Sequence, residues 1–291
     1  MFTLTLLSLL AIFLLSFANS YPFDVKTIAK QGKGFYITGI LQLGASADGI
    51  GDFNGDGIDD IIVSSEGSNE STGEVYVIFG KRSHRPTLLL DKGLTSSQGF
   101  AILGSKPKDY IGSYVTGIGD INGDGYADIL VSAKGINNEA GAAYVIYGTR
   151  KPLTTIFPVD GLDPSRGFAI LGNSPNEGLG CAASRAGDIN GDGIDDFIIG
   201  AEGDNNKTGA VYVIFGKKKE RFSTMTPSKD FKPSQGFKIS GDGKDAETLG
   251  NALRQAGDIN GDGIDDIIIG AKGTKESRGA AYVIYGSRKP F

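Results

Sequence analysis

This 291-residue sequence predicts an all-β chain folded as a β-propeller of four-stranded antiparallel blades, and three observations carry that expectation. An acidic phrase occurs four times, as GDFNGDGIDDIIVSS from Gly51, GDINGDGYADILVSA from Gly119, GDINGDGIDDFIIGA from Gly187 and GDINGDGIDDIIIGA from Gly257. Its leading aspartates, Asp52, Asp120, Asp188 and Asp258, are spaced by 68, 68 and 70 residues, so the chain is a repeat protein. Around each phrase the text is short, apolar and bounded by Gly, Asn and Asp, and the 45 glycines without a collagen period imply many tight turns.

Each unit opens with GF-x-I-x-G, at 34–39, 99–104, 167–172 and 236–241. A small-residue strand then enters the acidic loop, and the loop opens into IIVSS, ILVSA, FIIGA or IIIGA. After a Gly-rich polar turn comes VYVIFG at 75–80 and 211–216, or AYVIYG at 143–148 and 281–286. Val, Ile, Tyr and Phe between turn residues are strand chemistry, which gives four strands per unit. One small sheet cannot bury both of its faces, so the units must stack, and radial stacking gives a propeller rather than a linear solenoid, whose coils are shorter. The chain opens with a GF strand before any acidic loop and closes on VIYG. Residues 34–39 are therefore expected to pair with 281–286 and close the ring, removing both exposed edges.

Residues 1–20 form an apolar block ending at Ala18-Asn19-Ser20, the pattern of a secretory signal, and 21–291 are expected to form a single domain. No second apolar segment is long enough to span a membrane. With 29 basic and 34 acidic side chains the formal charge is −5, which gives no hint of nucleic-acid binding. Cys181 is the one cysteine, so an internal disulfide is excluded and a secreted chain needs another means of stiffening.

The acidic loops, 52–60, 120–128, 188–196 and 258–266, offer that means. Oxygen-bearing side chains fall at positions one, three, five and nine, and glycines at four and six allow a sharp turn. Such a loop suits Ca²⁺, a hard cation taking about six to eight oxygens. The expected ligands are Asp52, Asn54, Asp56, the Ile58 carbonyl and Asp60; Asp120, Asn122, Asp124, the Tyr126 carbonyl and Asp128; Asp188, Asn190, Asp192, the Ile194 carbonyl and Asp196; and Asp258, Asn260, Asp262, the Ile264 carbonyl and Asp266. About four Ca²⁺ ions are thus expected. An EF-hand needs a bidentate Glu at position twelve, where this chain has Val63, Val131, Ile199 and Ile269. Position eight is Asp59, Asp195 and Asp265 but Ala127 in the second loop, so it is left out of the ligand set.

At these residues the sequence resembles the FG-GAP repeats of the integrin α-subunit β-propeller, from about Lys33 to Gly286. The Phe-Gly element appears as Leu43-Gly44, Ile111-Gly112, Leu179-Gly180 and Leu249-Gly250, and the Gly-Ala-Pro element in part as Gly200-Ala201 and Gly270-Ala271. Ser64-Ser65 and Ser132-Ala133 depart from it, and no repeat has the proline. The resemblance implies structural Ca²⁺ sites on one face. It also implies an extracellular protein or glycan partner on the other, built here by EGSNESTG, KGINNEAG, EGDNNKTG and KGTKESRG with the connections after each GF strand. Integrin propellers have seven blades and this chain has four repeats, leaving a closed ring, an open array that could self-associate, or two chains assembled together.

The remaining candidates have plain readings. Lys81, Arg82, Arg150, Lys151, Lys217 to Lys219, Arg288 and Lys289 follow the VYVIFG-type strands and read as counter-charge beside the acidic loops. Asn69-Glu70-Ser71 and Asn206-Lys207-Thr208 are sequons in polar turns, accessible to a glycan if used. His84 is the only histidine, so a His-based triad has no other base, and Cys181 reads as a packing residue. The expected function is a secreted, calcium-binding, non-enzymatic adhesion module. A propeller hydrolase or lyase acting on polysaccharide or phospholipid is the alternative.

Overall fold

The computed structural model describes residues 29–83, 85–242, 248–273 and 279–291. The expected signal segment, His84 and most of the turn KGTKESRG lie outside them. The chain divides into two compact units, Met1–Gly39 with Lys81–Gly93, and Ile40–Gly80 with Leu94–Phe291.

In chain order the strands are β1 (Ile37–Thr38), β2 (Ala47–Gly51), β3 (Asp60–Ser65), β4 (Glu74–Ile78), β5 (Leu88–Leu89), β6 (Gly99–Leu103), β7 (Ile111–Gly119), β8 (Asp128–Ala133), β9 (Ala142–Ile146), β10 (Gly167–Leu171), β11 (Leu179–Gly187), β12 (Asp196–Ala201), β13 (Ala210–Ile214), β14 (Gly236–Ser240), β15 (Leu249–Gly257), β16 (Asp266–Ala271) and β17 (Ala280–Ile284). The larger unit holds three four-stranded sheets, β2-β3-β4-β6, β7-β8-β9-β10 and β11-β12-β13-β14, and a three-stranded sheet β15-β16-β17. All their pairings are antiparallel, as expected of four-stranded blades joined by tight turns. Every four-stranded sheet takes its outer strand, the GF strand, from the start of the next unit, with Phe100 opposite Val77, Phe168 opposite Val145 and Phe237 opposite Val213.

The sheets stack face to face in chain order, with β2 packed on β7, β7 on β11 and β11 on β15. Three apolar layers fill the junctions. Ile62, Val75, Val77 and Phe100 meet Ile129, Val131 and Tyr144; Leu130, Val145 and Phe168 meet Phe197, Ile199 and Tyr212; Ile198, Val211 and Val213 meet Leu253, Ile267 and Ile269. Middle strands such as DFIIGA are buried on both faces, which is why they read as continuous apolar runs rather than alternating ones. Each fully buried Ile or Phe contributes about 1.5–3 kcal/mol.

The Leu-Gly element of one sheet lies against the Gly or Ser of the preceding sheet's middle strand. Gly112, Gly180 and Gly250 have φ of +83°, +87° and +94° at the start of β7, β11 and β15. A Cβ on them would stand 2.7 Å from Ser64 Cβ, 2.7 Å from Ser132 Oγ and 3.3 Å from Gly200 Cα. Small residues on both sides therefore let neighbouring sheets approach, and only glycine meets both the backbone and the space requirement.

Among the described residues β1 pairs in parallel with β5, Ile37 opposite Leu88, and the last sheet has three strands, so the expected pairing of 34–39 with 281–286 is not among the described sheets. The contact between β1 and β5 belongs to a bridge that recurs through the chain. The segment after each third strand donates to the GF strand of the unit before it, Ile156 N–H to the Ala101 carbonyl (3.0 Å) and Met225 N–H to that of Ala169 (3.0 Å), and Leu88 N–H does the same to Tyr36 (2.8 Å). In the later units the same bridge accompanies an antiparallel partner on the other edge of the GF strand.

Candidate metal loops and the junctions around them

The acidic loops lead from the first to the second strand of each sheet, between β2 and β3, β7 and β8, β11 and β12, and β15 and β16. One hydrogen-bond frame is built four times. The position-one carboxylates accept the amides of positions five and six: Asp52 from Asp56 (3.0 Å) and Gly57 (2.8 Å), Asp120 from Asp124 and Gly125, Asp188 from Asp192 and Gly193, Asp258 from Asp262 and Gly263. Position five accepts the amide of position seven, from Ile58 to Asp56, Tyr126 to Asp124, Ile194 to Asp192 and Ile264 to Asp262, each at 3.0 Å. Position nine is buried in all four loops, at Asp60, Asp128, Asp196 and Asp266. One of its oxygens accepts the amide of position two and the other that of Gly80, Gly148, Gly216 or Gly286, twenty residues on.

The carboxylates of a loop sense one another. Burial first, and then the negative charge of Asp56, pushes Asp60 up to about 6. Burial, with Asp192 and Asp188 beside it, pushes Asp196 up to about 8. Asp128 is raised well above the ordinary carboxylate range by burial together with Asp124 and Asp120. Position three is Asn54, Asn190 or Asn260 accepting the position-five amide at 2.8–2.9 Å. In the second loop the Oδ1 of Asn122 is instead buried without a hydrogen-bond partner.

Among the described residues no three acidic, cysteine or histidine side chains already converge on one point as a metal set. The position-one and position-nine carboxylates are turned onto backbone amides. The donors nonetheless fit a hard cation in kind, all being oxygens, and two features favour one: repulsion among the carboxylates of the first three loops and the unpartnered Asn122 oxygen.

Position eight has a role that the sequence did not disclose. Asp195 Oδ2 accepts the amide of Asp120, in the preceding loop, at 2.9 Å, and Asp265 Oδ2 accepts that of Asp188 at 3.0 Å. In the second loop, where the residue is Ala127, its amide donates to the Asp52 carbonyl at 3.2 Å instead. The segments after β9, β13 and β17 also cap the loop of the preceding sheet. Thr149, Lys217 and Ser287 donate to the carbonyls of Phe53, Ile121 and Ile189 at 2.8–2.9 Å, and Arg150 reaches the Gly55 carbonyl. The basic residues at 150 and beyond are thus at the loops, as their placement after the strands predicts.

On the opposite side, the polar turns are fastened to the next unit's connection. Tyr110 N–H donates to Ser71, Gly178 N–H to Glu139 and Thr248 N–H to Lys207. The turns carry short left-handed runs, Asn69-Glu70-Ser71 and Asn137-Asn138-Glu139, a conformation that Asn tolerates better than most residues. Both sequon asparagines, Asn69 and Asn206, are exposed. The Cys181 thiol is pushed up to about 12, by burial and then by Glu202, which suits a packing residue rather than a nucleophile.

The FG-GAP repeat family model matches residues 44–78, 114–146, 182–214 and 255–284, one match for each sheet and its acidic loop. The chain is an FG-GAP repeat protein. This FG-GAP chain is 30% identical over 233 residues to integrin alpha pat-2 of Caenorhabditis briggsae, covering 77% of the chain and 17% of that protein. It is 30% identical over 213 residues to integrin alpha-4 of Xenopus laevis, covering 72% of the chain and 18% of that protein. The phosphatidylinositol-glycan-specific phospholipase D of Bos taurus is 33% identical over 177 residues, covering 57% of the chain and 19% of the enzyme. The FG-GAP chain therefore spans less than a fifth of these relatives' lengths. None of the described helices is long and apolar enough to cross a membrane.

Proposed function

We propose that this FG-GAP chain is a calcium-stabilised, propeller-type binding module that acts outside the cell, in adhesion or ligand capture. The observation that carries the reading is the fourfold loop frame, in which carboxylates at positions one, five and nine are held together with an asparagine at position three, the carboxylates of the second and third loops repelling one another. Ca²⁺ would be held by Asp52, Asn54, Asp56 and Asp60, and by the corresponding residues of the other three loops, with the carbonyls of Ile58, Tyr126, Ile194 and Ile264. When bound it would supply positive charge that offsets the repulsion and stiffens the loop; the chain's own residues do the rest. Position nine ties loop to sheet, and position eight ties one loop to the next. Such a scaffold presents the face of polar turns rigidly, and an extracellular protein or glycan is the partner we assign to that face. The integrin relatives and the exposed sequons support an extracellular setting.

The test is binding of the full chain to immobilised extracellular-matrix glycoproteins and glycans, with calcium and after chelation. Saturable binding that chelation removes is expected; no binding in either state would overturn the assignment. The phospholipase relatives support one second reading, an enzyme acting on inositol-glycan phospholipid. Calcium-dependent release of product from that lipid would favour it over the binding module.

A further inference from the structure

We infer that the junction between the first and second acidic loops binds a carboxylate, that of a small organic acid or of an acidic side chain, in the place that an aspartate of the chain itself takes at the next two junctions. At those two junctions the position-eight carboxylate reaches back to the preceding loop. Asp195 Oδ2 accepts the Asp120 amide at 2.9 Å, and Asp265 Oδ2 accepts the Asp188 amide at 3.0 Å. Each oxygen also lies against the glycine ahead of that amide, since a Cβ added to Gly119 or Gly187 would collide with it. The chain thus builds one carboxylate seat twice, from a position-one amide and the glycine before it.

At the first junction the same seat lacks the aspartate. Position eight is Ala127, and a Cβ on Gly51 would stand 3.2 Å from its Cβ, so the two loops still meet closely. The Asp52 amide, equivalent to those of Asp120 and Asp188, has no acceptor among the described residues. A second side chain is small at the same place. Gly117 in β7, Arg185 in β11 and Gln255 in β15 each stand two residues before the glycine that ends the strand, and Gln255 Nε2 donates to Asp265 Oδ1 at 2.9 Å.

With alanine and glycine in these two positions, a cavity of about 350 Å³ lies at the first junction, lined by Gly51, Asp52, Gly117, Ala127 and, from the third sheet, Arg185. The Arg185 side chain is exposed and makes no ion pair or hydrogen bond with another described residue. One wall therefore offers an amide donor and another a guanidinium, a combination that suits a carboxylate. Asp120 and Asp195 line the cavity as well, and their carboxylates already accept backbone amides. Their negative charge favours a monoanion over doubly charged sulfate. The inference rests neither on the metal assignment nor on a partner at the polar turns, because the groups it uses are a backbone amide and an arginine of β11.

The experiment is nuclear magnetic resonance on the isotope-labelled full chain, titrated with sodium acetate at constant ionic strength in calcium-containing buffer free of other carboxylates. A saturable shift of the Asp52 amide is expected, with the Asp120 and Asp188 amides unmoved because an aspartate already holds them. Sodium sulfate should move Asp52 far less. Ala127→Asp supplies the carboxylate from the chain itself, so it should abolish the acetate response and melt higher than the unaltered chain in chloride. Arg185→Gln should weaken acetate binding about tenfold, the worth of one charge-assisted hydrogen bond. A short peptide with one central glutamate separates the sources: tighter binding than acetate places the carboxylate on a partner polypeptide, and binding no tighter places it on a small acid. No acetate-specific shift at Asp52 would overturn the inference, as would an undiminished shift in Ala127→Asp or a response to sulfate as strong as that to acetate. If Ala127→Asp does not fold, Arg185→Gln decides, and unchanged acetate affinity in it overturns the inference.

Discussion

The Asp195 carboxylate in the third acidic loop accepts the amide hydrogen of Asp120 in the second, at 2.9 Å across 75 residues of sequence. This link assigns position eight to the junction between sheets. Asp195→Ala is therefore expected to lower stability by about 1 kcal/mol while leaving calcium stoichiometry unchanged. Chemical denaturation with a parallel calcium titration measures both; a lost ion would move position eight into the ligand set.

Gly180→Val should be more damaging. A side chain there would adopt φ near +87° and stand 2.7 Å from Ser132 Oγ. Backbone strain of about 1–3 kcal/mol adds to the overlap, so the denaturant midpoint should fall well below that of Asp195→Ala. Equal midpoints would show that the sheets can part at this point without loss.

Metal-free protein should lose stability as pH rises. Asp60 and Asp196 are pushed up to about 6 and about 8, above the ordinary carboxylate value of 3.8. The folded state then holds protons that the unfolded state has released, so their stabilising contribution is complete below about pH 4 and is lost as pH rises toward 8. Melting temperatures of chelated protein at pH 5 and pH 8 should fall in that order, and saturating calcium should shrink or reverse the difference. Chelated protein that melts higher at pH 8 would contradict it.

Asp192→Ala removes a position-five carboxylate from the third loop, whose hydrogen bonds are mostly local. Calcium stoichiometry should fall by about one, with the other loops still binding. Unchanged stoichiometry would remove position five from the ligand set.

The repeat, the strands and the GF-strand hand-over between sheets were legible in the sequence because they depend on side-chain period and turn residues, which are local. The position of the acidic loops at strand junctions was legible for the same reason. Asp195 and Asp265 were not: their partners are 75 and 77 residues away, and Ala127 made the position look dispensable when its loop in fact substitutes a backbone contact. The pairing of 34–39 with 281–286 was expected from the phase of the repeat, which alone does not fix the strand that completes the last sheet. The bridge from Leu88 to Tyr36, which the later units repeat at Ile156 and Met225, was not legible because its residues share no motif. The left-handed turns at Asn69 and Asn137 were visible only as Asn-rich polar text, because the contacts that fix them come from the next unit.

Calorimetry on the full chain tests the central claim most directly, by titrating calcium into chelated protein and comparing melting before and after. Four aspartate-rich loops built on one frame predict uptake of about four ions and a clear rise in melting temperature, since binding is linked to the folded state. No binding heat, together with the same melting temperature in chelator and in calcium, would contradict it.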